Sequence, residues 1–251
     1  MNNQKPLVIA NWKMQLGIKD AISLSEKIKK VKSDSEVVVC PSFVSLSNVS
    51  EILKNSDIKL GAQDCFWERG GAYTGEVSAL EIKELGCDFV ILGHSERREH
   101  LEETDEIVHK KVKAAVAAGL VPIICVGETF QQRQDQARDY VLIQQVTKAL
   151  EGVDVGLEKK VIIAYEPVWV IGSGQAITPD EAASAHQVIY QSLFDLFPTT
   201  LVKENFSVIY GGSVDENNVA SFVGLSNMHG VLIGGASLKP EKFLNIIKKL
   251  D

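Results

Sequence analysis

The chain has 251 residues, 45% hydrophobic and 24% charged, an ordinary globular balance in a length that suits one large α/β barrel or two small domains. A formal net charge of -7 argues against a general nucleic-acid binder, which needs a basic excess to neutralise phosphates, but it leaves room for a small anion held by local groups. No apolar run reaches membrane-spanning length, the first residues lead straight into an apolar segment without a secretory core, and the four cysteines form no CxxC pair, so a reducing, cytoplasmic setting is expected.

From Leu7 onward one phrase recurs: a short apolar run, a polar or glycine-bearing loop, then a segment of helical period. The runs are Leu7–Ala10, Val37–Cys40, Ile58–Ala62, Phe89–Leu92, Pro122–Val126, Val161–Tyr165, Val208–Tyr210 and Val231–Ile233. They lack polar alternation, as strands buried on both faces do. Between them, Ile18, Ile22, Ile28 and Val31 predict one helix face. Others are predicted by Ile107, Val108, Val112, Ala115 and Val116, by Ala182, Ala185, Ile189 and Leu193, and by Phe243, Ile246, Ile247 and Leu250. Thr178-Pro179-Asp180-Glu181 supplies a capping hydroxyl, a first-turn proline and early acids. About eight strand–helix units predict a single-domain (β/α)₈ barrel over 1–251. The alternative, an open doubly wound sheet, would want GxGxxG after the first strand, where Asn11-Trp12-Lys13-Met14 stands instead.

In a parallel barrel the loops after the strands open on one face, which carries the site. The first run ends at Asn11 and Lys13, and the lysine is either a fixed cation for an anionic substrate or an ordinary solvated side chain. The fourth ends in Gly93-His94-Ser95-Glu96-Arg97-Arg98. Ser95 could cap a helix there, placing His94 near a helix N-terminus that disfavours imidazolium. A neutral imidazole can donate to a substrate oxygen, although a structural histidine is the competing reading. Glu96 fits a supporting ion-pair cluster. His94-x-Glu96 echoes a zinc-deaminase signature, but the PCxxC that this requires is missing.

The sixth run ends at Glu166, followed by the apolar Pro167–Ile171 and by Gly172-Ser173-Gly174. An apolar tip between a proline and glycines suits a lid that shuts out water, which would make Glu166 a covered base rather than an ordinary buried acid. The seventh and eighth runs end in Gly211-Gly212-Ser213 and Gly234-Gly235-Ala236, where backbone N–H groups can approach a phosphate closely. Together these groups suit proton abstraction next to a carbonyl in a small phosphorylated substrate, with no metal or organic cofactor called for.

These motifs, with Gly61-Ala62-Gln63-Asp64 and Gly71-Ala72-Tyr73-Thr74-Gly75-Glu76, resemble the triosephosphate isomerase family nearly end to end. A glutamate base working beside a neutral histidine is that family's known device, not a deduction from this chain. The resemblance implies interconversion of dihydroxyacetone phosphate and D-glyceraldehyde 3-phosphate, in glycolysis and gluconeogenesis, without a cofactor. It implies Glu166 as base, His94 as electrophile, Asn11 and Lys13 as substrate contacts, and Gly172, Ser173, Ser213, Gly234 and Gly235 as phosphate-binding groups, with Glu96 in support. It further implies a homodimer in which the loop around Thr74 reaches the partner's site beside Lys13. Where many members have Ala-Ile-Gly-Thr-Gly-Lys in the lid, this chain has Val170 to Gln175, a difference expected to touch lid rates more than chemistry. Leu196 to Phe206 reads as a surface excursion. Two rivals remain: a phosphosugar epimerase, which would want metal ligands at these strand ends, and a barrel that has kept a binding role without turnover.

Overall fold

The computed structural model describes residues 5–156, 158–173, 175–225 and 228–251. Eight parallel strands close into a barrel in sequence order: β1 (Leu7–Asn11), β2 (Glu36–Cys40), β3 (Lys59–Ala62), β4 (Phe89–Leu92), β5 (Val121–Val126), β6 (Val161–Tyr165), β7 (Phe206–Tyr210) and β8 (Gly230–Ile233). Pairing of Val8 with Val37 on one side and with Val231 on the other completes the ring. Every expected apolar run is a strand. Their lack of alternation has the anticipated cause, since one face packs inside the barrel and the other under the helices.

Residue parity sorts the two faces. Leu7, Ile9, Val38, Cys40, Phe89, Ile91, Ile123, Cys125, Ile162, Ala164, Ile209 and Leu232 form the inner core. The intervening residues, such as Val8, Ala10, Val161 and Ile163, join the larger core beneath the helices. The same parity aims the site: continuing by twos, Ile9 leads to Asn11, Ala164 to Glu166, Ile209 to Gly211 and Leu232 to Gly234, all at one barrel mouth.

The helical segments depart from expectation in two places. In the first helix, Ile18–Ile28, the buried face is Ala21, Leu24, Ser25 and Ile28, while Ile18 is exposed. Small Ala21 and Ser25 complete that buried face, which counting large apolar residues does not detect. The stretch Leu196 to Phe206 is no plain excursion. It contains the helix Thr199–Asn205, with Val202 and Asn205 buried, and Phe206 begins β7. Asn205 Nδ2 donates to the carbonyls of Gly156 (2.9 Å) and Lys159 (2.8 Å), tying this turn to the segment before β6. The helix Pro179–Leu196 starts as expected, with reciprocal capping between Thr178 and Glu181.

Candidate active site

A cavity of about 410 Å³ opens at the mouth defined by this parity. Asn11, Lys13, His94, Glu166, Gly172, Ser213, Gly234 and Gly235, drawn from the segments after five strands, all line it. Ser173 does not: its hydroxyl donates to the Val170 carbonyl at 2.8 Å and accepts from the Gln175 amide at 3.1 Å within the lid. Gly174, expected to help hinge the lid, lies outside the described residues.

His94 owes its state to its backbone setting. It is itself the N-cap of the helix Ser95–His100, a position that the sequence reading gave to Ser95. Its Nδ1 accepts from the Glu96 amide at 3.2 Å, the geometry of the tautomer that carries its hydrogen on Nε2. In that tautomer the 3.6 Å approach of Nδ1 to Glu96 Oε2 is no ion pair. Nε2 lies 3.2 Å from Glu166 Oε1. Oε1 nonetheless has no aligned donor, so its lone pairs are unspent, whereas Oε2 accepts from the Ser95 amide at 3.0 Å. The carboxylate is thus held by one oxygen and free at the other, at 2% exposure.

The loop that carries His94 is clamped. Gly93 has φ of +69°, and a Cβ there would stand 2.9 Å from both Val108 and Arg98. Its N–H donates to Glu103 Oε1 (3.1 Å) and its carbonyl accepts from Arg98 Nε (2.7 Å). Glu103 belongs to a buried ionic cluster in which Lys111 Nζ reaches Asp64 (2.7 Å) and Glu103 (2.8 Å), and Arg97 reaches both carboxylates. Burial pushes Asp64 up to about 6, ahead of the opposing pull of Lys111. Burial acts the same way on Glu103, but the contacts with Lys111 and Arg97 prevail and hold it below the usual carboxylate range.

Lys13 sits at φ of +52°, an uncommon conformation for a side-chain-bearing residue. Asn11 Oδ1 stabilises it by accepting from the Lys13 amide at 3.0 Å. Gln63 Nε2 donates to the Lys13 carbonyl (2.8 Å) and to the Cys40 carbonyl (2.9 Å). The ammonium pairs with Glu96, which keeps it at the pocket wall.

Beneath the lid stem lies Glu128, fully buried. It accepts from Tyr165 Oη at 3.1 Å and from Trp169 Nε1 at 3.0 Å. Burial, and then the Glu128 charge, raise the Tyr165 phenol well above its ordinary value, so it remains a donor. Arg133 stacks over the Trp169 ring at 4.2 Å. Below Glu166, burial and the neighbouring carboxylate keep the Cys125 thiol protonated. Gly127 permits the closest approach: a Cβ there would come within 1.7 Å of the Glu166 carbonyl oxygen.

Residues 6–250 match the family model described as triosephosphate isomerase. The chain belongs to the triosephosphate isomerase family. Curated relatives named triosephosphate isomerase include those of Dictyoglomus thermophilum (42% identical over 98% of this chain and 99% of the relative) and Geotalea uraniireducens (44%, over 98% of each). Another is that of Caldanaerobacter subterraneus (42%, over 97% of this chain and 99% of the relative). Membership makes the chain an intramolecular isomerase on a (β/α)₈ barrel.

For a triosephosphate isomerase the sequence reading missed several supporting groups. Gln63 stood in a quoted motif without a role. Glu128 follows β5 in Gly127-Glu128-Thr129 and was passed over, although a carboxylate directly after a barrel strand was a usable signal. Glu103 and Lys111 lie on or beside a helix, and nothing local in the sequence reveals that they meet Asp64. Lys239 and Lys242 also line the cavity near the expected phosphate loops.

Proposed function

We propose that the chain interconverts dihydroxyacetone phosphate and D-glyceraldehyde 3-phosphate through an enediolate, with Glu166 as the base. The observation that supports this most is Glu166 itself: a buried carboxylate with one oxygen anchored to the Ser95 amide and the other lacking an aligned donor. The phosphate is received by the backbone of Gly172, Gly234 and Gly235 and by Ser213, with Ser173 joining when its lid approaches. This leaves the substrate carbonyl toward Lys13 and Asn11. Glu166 takes a proton from the carbon next to that carbonyl. The C–H electron pair forms the carbon–carbon double bond, and the carbonyl oxygen gains the negative charge.

Lys13 and the His94 Nε2–H stabilise that oxygen, where a single preorganised donor is worth ~10²–10³ in rate. His94 passes a proton between the two oxygens, and Glu166 returns its proton to the neighbouring carbon, so the atoms balance without a co-reactant. The lid excludes water, which strengthens each of these contacts.

The active unit is a homodimer in this reading. The segments after the adjacent strands β1, β2 and β3 expose Met14 (94%), Val44 (71%) and Tyr73 (45%), an apolar surface that suits burial by a second copy. The Thr74 loop then reaches the partner's Lys13 region. The cytoplasmic assignment is supported by four buried, unpaired thiols. A coupled assay of the purified protein, given each triose phosphate in turn without added metal, is expected to show turnover in both directions. Inactivity toward both would contradict the proposal.

A further inference from the structure

The helix Ala79–Glu84 is only six residues long, whereas the next long helix of the outer layer, Asp105–Ala117, has thirteen. The short helix leaves its neighbour's flank open, and a groove of about 640 Å³ lies between them. It shares no lining residue with the catalytic cavity.

The chemistry of this groove is distinctive. Ala114, Ala118 and the half-buried indole of Trp67 line it. Arg69, Lys110 and Lys113 border it, opposed by the carboxylate of Glu68. Lys110 and Lys113 are three apart on one helix and so share a face. Lys110 Nζ lies 5.4 Å from the Trp67 ring centroid. Among the described residues none of the three cations is in an ion pair with a carboxylate. In a chain of net charge -7, this is a local excess of unneutralised positive charge beside an aromatic wall.

We propose that the groove is a second ligand site, for a planar aromatic ring carrying a phosphate, the chemistry of a nucleoside monophosphate. The ring lies against the indole and the methyl groups, where a base–aromatic stack is worth ~1–3 kcal/mol. The phosphate is met by the lysines and Arg69, an attraction weakened by salt because these groups are exposed.

The test is calorimetric titration of the full chain with AMP while saturating phosphoglycolate, a carboxylate mimic of the enediolate, fills the catalytic cavity. AMP should still bind, with one site per chain. Adenosine and inorganic phosphate should each bind at least ~10-fold more weakly, since each retains one half of the recognition. Trp67→Leu should weaken AMP by ~10-fold, the size of one stack. Trp67 also packs on Phe66, so the double substitution Lys110→Glu with Lys113→Glu provides a variant confined to exposed side chains. It should remove the salt-sensitive part of the affinity and leave triose phosphate turnover unchanged. Absence of AMP binding with phosphoglycolate present would overturn the proposal. So would equal affinity for adenosine and AMP, or affinity unaltered by the lysine reversals.

Discussion

At the scale of single residues, two histidines sit in opposite arrangements. His94 accepts a backbone N–H at its Nδ1 and faces the cavity. His186 is neutral because it is sealed in the helix Pro179–Leu196, where burial lowers it to about 4. The second case has a consequence for stability. The folded value lies below the unfolded value of about 6.5. As pH falls from about 6.5 toward 4, the unfolded chain takes up a proton at this position before the folded chain does, so the contribution is intact above that window and lost within it. The loss reaches up to ~3 kcal/mol at ~1.4 kcal/mol per pH unit. Denaturant unfolding between pH 7 and pH 4 should therefore show a shallower acid decline for His186→Gln than for the unaltered chain. Equal slopes would show that this imidazole does not contribute.

At the scale of elements, the loop that carries His94 is anchored by a buried ionic cluster that does not line the cavity. Glu103 holds the Gly93 amide, and Lys111 holds Glu103 together with Asp64. Removing one member leaves buried charge uncompensated, at a cost of about 3–5 kcal/mol. Lys111→Met is expected to lower stability by that amount in urea unfolding, and a loss below ~1 kcal/mol would mean the cluster is not an anchor. This cluster also shows where sequence reading stops. The eight strands were legible because burial on both faces leaves an unbroken apolar run, and the mouth residues were legible because each follows such a run. The partnership of Asp64 with Lys111 joins residues 47 positions apart, and its geometry exists only once the barrel has closed. Similarly, the first helix was read from its large residues, whereas Ala21 and Ser25 complete the face that packs. The phosphate-binding role of Ser173 is implied only by the resemblance, while its hydroxyl is engaged by Val170 and Gln175.

At the scale of the whole molecule, closure of the sheet brings the segments after five strands to one mouth, while those after β1, β2 and β3 leave apolar side chains exposed. In the proposed dimer that surface is covered and Lys13 is braced from outside its own chain. Thr74→Arg places a charge at the contact, so sedimentation should show a shift toward monomer with a parallel fall in kcat. A fully active monomer would remove the partner from the account. Everything else in the barrel converges on one carboxylate, and the most direct measurement is steady-state turnover of Glu166→Gln, with its fold checked by circular dichroism. The amide keeps the shape but cannot accept the carbon-bound proton, so kcat should fall by ~10²–10⁴ or more with the fold intact. Turnover within a few-fold of the unaltered enzyme would contradict the assignment of Glu166 as the base.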